Sequence, residues 1–542
     1  MAKTLILGNN PDKSWIKNIG LITVAVPNIS TGRNTDIVDF IKRLPTDLDC
    51  VVIDSDSFNS ENPELPLDIA LYIRMMLNDC KKTALSKIVI VSDFTIDSFV
   101  DYGVKSMILM TKGILLTDGE SIGYAVENAV ALTPSEYVDG FLNLIKVEPQ
   151  EKIEGRHSVA NEWGAYILAQ SVNAGHQDVV PHPSSLSLYF LYSSIVSLNA
   201  ADVSRIINRD SIWPFENKIQ VNKKFSYLLI DDEADRGWNE TLKLLMPNAY
   251  GVMWNKKAVD YKGLGTEIRR DIENCKFDII FLDFRMNGVS EENLTNPEDF
   301  SGMKILRTIK EINPGLQVIM LTATNKGWNV KALLDAGADG YYMKESPEYH
   351  FPISYTEQNT KALKVEIERC LRKDYLKSIY QRIKRLDLNS HDGLGRILES
   401  QLSISFDLVR KAISNSEYAF AYIALEQVFE ISANHFYNEE TVNGEWRCFF
   451  IKDNHRLECN INSIFRNFKI RHNHTTPTPM WVKIAAIYLG LFNGDNTELI
   501  DNIKEDIKLR NDYIHDVNKP QITSVDYQDL FDSVMEFLYA FQ

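Results

Sequence analysis

The chain has 542 residues, 44% of them hydrophobic and 24% charged, with a formal net charge of −16. Such a length predicts about two to four domains, and the acidic balance argues against a broad nucleic-acid or anionic-membrane surface. Six cysteines without a CxxC pair indicate neither a disulfide framework nor a zinc ribbon, so reduced thiols and a cytoplasmic location are expected. The apolar start, Met1 to Gly8, is too short for a signal peptide, and no run reaches transmembrane length, so no membrane association is expected. In chain order, residues 1–145 then carry four short apolar runs, Thr4 to Asn10, Leu48 to Asp54, Lys87 to Ser92 and Met107 to Lys112. Short apolar runs with helical patterns between them read as buried parallel strands.

Residues 146–222 have helical spacing over His157 to Ala169 and over Ser184 to Ile207, with a loop at Gly175 to Pro183. His157 invites a phosphotransfer role, but a helical connector is the expected reading. His176 and His182 read as surface residues.

Residues 223–352 repeat the strand pattern with a more reactive set of ends. Ser226 to Glu233 ends in paired carboxylates, Asp278 to Asp283 in a carboxylate, Gln317 to Thr322 in a hydroxyl and Gly340 to Lys344 in an ammonium. Ligands of doubly wound sheets collect at the carboxyl ends of the strands. Asp231, Asp232, Asp283, Thr322 and Lys344 are therefore expected to converge. Clustered carboxylates call for a hard divalent cation such as Mg2+. A carboxylate beside that ion can become an acyl phosphate.

On these residues the segment resembles the receiver domain of two-component response regulators. The resemblance implies a flavodoxin-like fold, with Asp283 as phosphoacceptor. Mg2+ would be held by Asp231, Asp232, Asp283 and the backbone carbonyl of Arg285. The switch residues would be Thr322, Tyr341 and Lys344, and a histidine kinase or phosphotransfer protein would be the partner. Glu345 stands where the family usually has proline, and Asn287 to Phe300 reads as an insertion. The first 145 residues resemble a degenerate second copy, with Asn9 and Asn10 in place of the acidic pair. Asp54 is not expected to be phosphorylated, and an unrelated α/β domain is the alternative.

Residues 353–388 read as a linker helix, with an apolar stripe from Leu363 to Leu386 that serves as a lever, a dimer seam or an internal packing face. Residues 389–542 read as mostly helical: Leu394 to Ile413, Ser416 to Tyr437, Asn460 to Phe468, Met480 to Phe492, Thr497 to Tyr513 and Asp526 to Phe541. Their acidic helices offer no basic recognition face, so sequence-specific DNA binding is not expected. Arg510, Asn511 and His515 near the end of a late helix resemble the motif of the HEPN superfamily. That resemblance implies a metal-independent ribonuclease with RNA as substrate, paired as a homodimer. The alternative is a phosphorylation-gated adaptor. The fold class expected overall is two flavodoxin-like, doubly wound α/β domains followed by a helical bundle.

Overall fold

The computed structural model describes all residues except 1–2, 9–12, 18–21, 25–33, 58–63, 150–155, 175, 181–185, 209–210, 213–218, 292, 324–326, 388–393, 444, 453–454, 460–477, 493–496, 516–519 and 540–542. The chain divides into two compact units. One comprises residues 1–308 and 318–371, the other residues 309–317 and 372–542.

The first unit holds two five-stranded parallel sheets. In the first sheet the strands are β1 (Thr4–Leu7), β2 (Ile22–Val24), β3 (Cys50–Asp54), β4 (Lys87–Val91) and β5 (Ile114–Thr117), in spatial order β2-β1-β3-β4-β5. In the second they are β6 (Ser226–Ile230), β7 (Tyr250–Trp254), β8 (Ile279–Asp283), β9 (Gln317–Thr322) and β10 (Gly340–Met343), in order β7-β6-β8-β9-β10. The central strands β3, β8 and β9 are buried along their whole length. That explains their unbroken apolar runs, because helices cover both faces of a parallel sheet. Register is also shared: Leu7 pairs Ile53 in the first sheet, and Ile230 pairs Leu282 in the second.

Three expectations for the first unit need correction, the first being the loop expected at Gly175 to Pro183, which contains a short helix, His176–Val179. Met107 to Lys112 is not a strand: Ile96–Met110 is 3-10 helical and the fifth strand is Ile114–Thr117. Both the amide and the hydroxyl of Thr111 donate to the Ile108 carbonyl, closing a 3-10 turn. Gly113, at φ +81, then turns the chain into β5. The single helix expected over Ser184 to Ile207 is two, Ser187–Ile195 and Ala200–Asn208. Asn199 separates them, its side-chain oxygen accepting from the amides of Ala201 and Asp202 as a cap does.

Helix α1 (Arg156–Gln170) is packed on two sides. Val159, Trp163 and Ile167 join the core of the first sheet, whereas Ala165, Leu168 and Ala169 join that of the second. An all-round apolar helix is one with neighbours on both faces. Gly164 permits the closest approach: a Cβ there would meet the Trp238 ring at 3.0 Å and Lys344 Cβ at 3.4 Å. Against α1 lies α2 (Trp238–Leu245), the helix after β6, whose Trp238 indole donates to the Asn161 carbonyl at 3.0 Å.

The single helix expected from Thr356 to Leu386 is also two, α3 (Ile353–Leu371) and α4 (Leu376–Arg385). Its stripe serves two different cores. Leu363, Ile367, Cys370 and Leu371 are buried in the second sheet's core, and Leu376 and Ile379 in that of the second unit.

The second unit packs α5 (Leu394–Lys411), α6 (Asn415–Phe436), α7 (Met480–Phe492), α8 (Thr497–His515) and α9 (Ser524–Tyr539) around one apolar core. It is not wholly helical. Tyr437–Val442, Glu445–Lys452 and His455–Cys459 form an antiparallel three-stranded sheet. Asn443, at φ +54, takes the left-handed conformation of a tight hairpin turn. The expected helix Asn460 to Phe468, His182 and the Asn9–Asn10 pair lie outside the described residues. No described helix is long and apolar enough to cross a membrane. Cys50, Cys80, Cys275, Cys370 and Cys448 are buried and outside any disulfide among the described residues.

Candidate functional site

The ends of β6, β8 and β10 bring Asp231, Asp283 and Lys344 into contact. Lys344 Nζ donates to Asp231 Oδ2 at 2.7 Å and to Asp283 Oδ1 at 2.9 Å. All three side chains are almost fully buried. Burial alone would lower the Lys344 pKa, but Asp231 and Asp283 outweigh it and hold the ammonium above its usual range. Burial raises the Asp283 carboxyl, Lys344 opposes that and Asp231 adds to it, with a net rise. Asp283 Oδ2 accepts the Arg285 amide at 3.2 Å, and Asp231 Oδ1 accepts the Glu233 amide at 2.9 Å. Thr322 is buried at the end of β9, its carbonyl accepting from the Lys344 amide at 2.8 Å. Tyr341 is exposed.

Asp232 is the uncompensated member. Its side chain is 2% exposed, yet Oδ1 has no hydrogen-bond partner among the described residues. Burial, then the charges of Asp283, Asp231 and Glu233, push its carboxyl up to about 7. A buried carboxylate oxygen with nothing to bond is costly, and a cation is what the donor set lacks.

Helix α1 adds residues that the sequence reading left out of the site. Asn161 Oδ1 accepts from Lys344 Nζ at 2.6 Å, and its Nδ2 donates to Glu233 Oε2 at 2.9 Å. Ser158 also donates to Glu233. His157 Nε2 lies 4.0 Å from Asp232 Oδ1 and 3.9 Å from Glu233 Oε2. His157, Asp232 and Asp283 each bring one potential ligand atom within 4.8 Å of the others. Positions 157, 158 and 161 fall on one face of a helix. That spacing is visible in the sequence, but nothing there names the distant partner.

Glu345, at the position where a proline was expected, ties the site to α3. Its carboxylate accepts from Thr356 Oγ1 at 2.8 Å and from Asn359 Nδ2 at 3.2 Å. Within the segment 287–300 that reads as an insertion, Glu291 accepts from the amide and hydroxyl of Ser301 at the next helix start.

The first sheet has a different answer to a buried carboxylate. Asp54, fully buried at the end of β3, accepts from Lys13 Nζ at 2.8 Å and from Ser57 Oγ at 2.5 Å. Register puts Gly8 where the second sheet has Asp231, and Gly119 where it has Lys344.

In the second unit Arg510 and His515 lie on α8, five residues apart and therefore about 140° apart around the helix. Arg510 donates to Asn511 Oδ1 at 3.1 Å and lies 3.5 Å from Glu426 and 3.8 Å from Glu430. His515 is exposed. An acidic groove beside α8 is lined by Glu505, Asp512, Asp529, Asp532 and Glu536.

Residues 255–351 match the family model described as the response regulator receiver domain. Over 155 residues the chain is 28% identical to the nitrate/nitrite response regulator protein NarP of Escherichia coli. That match covers 28% of this chain and 62% of the relative's own length. Among solved structures, a CheY-like receiver domain protein from Methanospirillum hungatei is 21% identical, covering 27% of this chain and 98% of that one, with a TM-score of 0.19. A receiver domain protein from Clostridium thermocellum is 24% identical, covering 28% of this chain and 98% of that one, with a TM-score of 0.20. Together with a buried Asp283–Lys344 pair at the carboxyl edge of a parallel sheet, the family match identifies residues 255–351 as a response regulator receiver domain.

Proposed function

We propose that this chain is a response regulator phosphorylated on Asp283 and that the receiver runs from residue 223 to 352. The observation that carries this reading is Lys344, buried and bridging Asp231 and Asp283. The donor is a histidine kinase or phosphotransfer protein. An Asp283 oxygen attacks phosphorus, the donor's N–P bond breaks and an acyl phosphate forms. Lys344 and Thr322 then bind the phosphoryl oxygens. Asp231, Asp232, Asp283 and the Arg285 carbonyl would hold Mg2+, which neutralises the charge of the transferring group. The partnerless Asp232 oxygen supports that fit.

Lys344 must change partners when Asp283 carries the phosphoryl group. Glu345 is its covalent neighbour and bonds Thr356 and Asn359 on α3, so a shift of Lys344 reaches that helix directly. The switch is a local electrostatic event biasing a two-state element. Residues 1–145 act as a degenerate receiver-like domain, a reading supported by the strand order and register shared by the two sheets. Lys13 fills the place of a cation there.

For the output, the charges around Arg510 favour a partner-binding helical domain. The guanidinium faces Glu426 and Glu430, and the adjoining groove is acidic, which repels RNA phosphates. The HEPN-like ribonuclease is the second reading, supported by Arg510, Asn511 and His515 sharing one late helix. Treatment with acetyl phosphate and Mg2+ should label wild type and not Asp283→Ala. RNA degradation that depends on both His515 and the phosphodonor would select the ribonuclease. Labelling without degradation would select the adaptor.

A further inference from the structure

We propose that the cation site is a mixed nitrogen–oxygen site in which His157 of α1 supplies an imidazole ligand, so that it prefers a first-row transition ion such as Co2+ or Mn2+ to Mg2+. This rests on the reading of Asp283 as a metal-assisted phosphoacceptor. It goes beyond that reading because His157 lies outside the receiver and on the preceding helix.

Geometry gives the first argument. One atom each from His157, Asp232 and Asp283 lies within 4.8 Å of the others. Bonds of about 2.1 Å to a six-coordinate ion bring cis ligand atoms to about 3 Å, so ion entry draws the three inward by a modest amount. Asp232 supplies the second argument. Its side chain is 2% exposed and Oδ1 has no hydrogen-bond partner among the described residues, while His157 Nε2 stands 4.0 Å away. Lys344 cannot serve it, being bonded to Asp231, Asp283 and Asn161. The ring supplies the third. The Asn161 side-chain amide stands 3.4 Å from Nε2. An amide NH2 only donates, so this contact is a hydrogen bond in the tautomer whose ring proton sits on Nδ1, the one in which Nε2 can also serve as a metal ligand. Imidazole favours transition ions, whereas all-oxygen sites suit Mg2+. Because His157 stands on α1, the ion would also pin that helix to β6 and β8.

The full-length protein decides the matter. Calorimetric titration with Co2+ and Mg2+ should give a Co2+ affinity roughly a hundredfold higher. His157→Ala should lower Co2+ affinity by roughly tenfold or more and change Mg2+ affinity by no more than about twofold. Mn2+-loaded wild type should show nitrogen coupling from a bound imidazole in pulsed electron paramagnetic resonance, lost in His157→Gln. The wild-type spectrum stands even where a variant fails to fold. Mn2+ bound without nitrogen coupling would overturn the inference, while acetyl phosphate labelling of Asp283 in the same sample would leave the phosphoacceptor reading in place. Failure to bind any of these ions would overturn both.

Discussion

Two parallel sheets in one unit place a carboxylate at the same point, the end of the third strand, and neutralise it by different means. Asp54 of the first sheet receives the ammonium of Lys13 and the hydroxyl of Ser57. Burial alone would lower the Lys13 pKa, but its bonds to Asp54 and Asp56 outweigh that and hold it above its usual value. Asp283 of the second sheet shares one buried lysine with Asp231, and Asp232 Oδ1 beside them has no hydrogen-bond partner among the described residues. In the first site one lysine serves a single buried carboxylate and the part-exposed Asp56; in the second one lysine serves two buried carboxylates and a third, Asp232, stands beside them. On the proposed reading, the charge balance at that strand end, and not the fold alone, separates the phosphoacceptor Asp283 from Asp54.

Removing each lysine breaks the comparison most sharply. Lys344→Met should cost about 4 kcal/mol, because it strands two buried carboxylates. Lys13→Met should cost only about 2 kcal/mol, since that lysine is 22% exposed and water screens part of the charge. Hydrogen exchange of β8 and β3 reads the two losses separately, which matters in a chain with more than one cooperative unit. Equal losses would contradict the contrast.

Neutralising the carboxylates should then give opposite signs. The Asp232 carboxyl, raised to about 7 in the folded chain, exceeds its unfolded value of about 4. The folded state thus binds the extra proton, and stability falls as pH rises from about 4 through 7. Asp232→Asn, measured with chelator present, should stabilise, and by about 2 kcal/mol more at pH ~8 than at pH ~5. Asp54→Asn should instead destabilise by about 1–2 kcal/mol, because Lys13 loses its buried partner. A smaller effect is expected at the tether. Glu345→Ala should cost about 1 kcal/mol and speed hydrogen exchange in the first turns of α3. Unchanged exchange there would remove the proposed link from Lys344 to that helix.

Much of the second sheet was legible in the sequence, because unbroken apolar strands ending in Asp283, Thr322 and Lys344 carry both fold and chemistry on contiguous residues. What failed had other causes. Met107 to Lys112 has strand composition, but Gly113 and the Thr111 turn put the start of the strand seven residues later, at Ile114. The hairpin after Tyr437 was missed although Asn443-Gly444 between alternating residues is a strong turn signal. The stripe through 356–386 is continuous in sequence yet feeds two cores, and periodicity cannot say which core a face meets. His157 and Asn161 were read as connector because their partners, Asp232 and Lys344, stand 75 and 183 residues away. Long-range polar contacts leave no local pattern.

The most direct test maps the phosphorylated residue. Full-length protein incubated with acetyl phosphate and Mg2+, then reduced to convert the acyl phosphate to a stable alcohol, should yield one modified peptide, that containing Asp283, with the Asp54 peptide unmodified. Modification at Asp54, or labelling that survives Asp283→Ala, would contradict the account that charge balance assigns the two sheets their different roles.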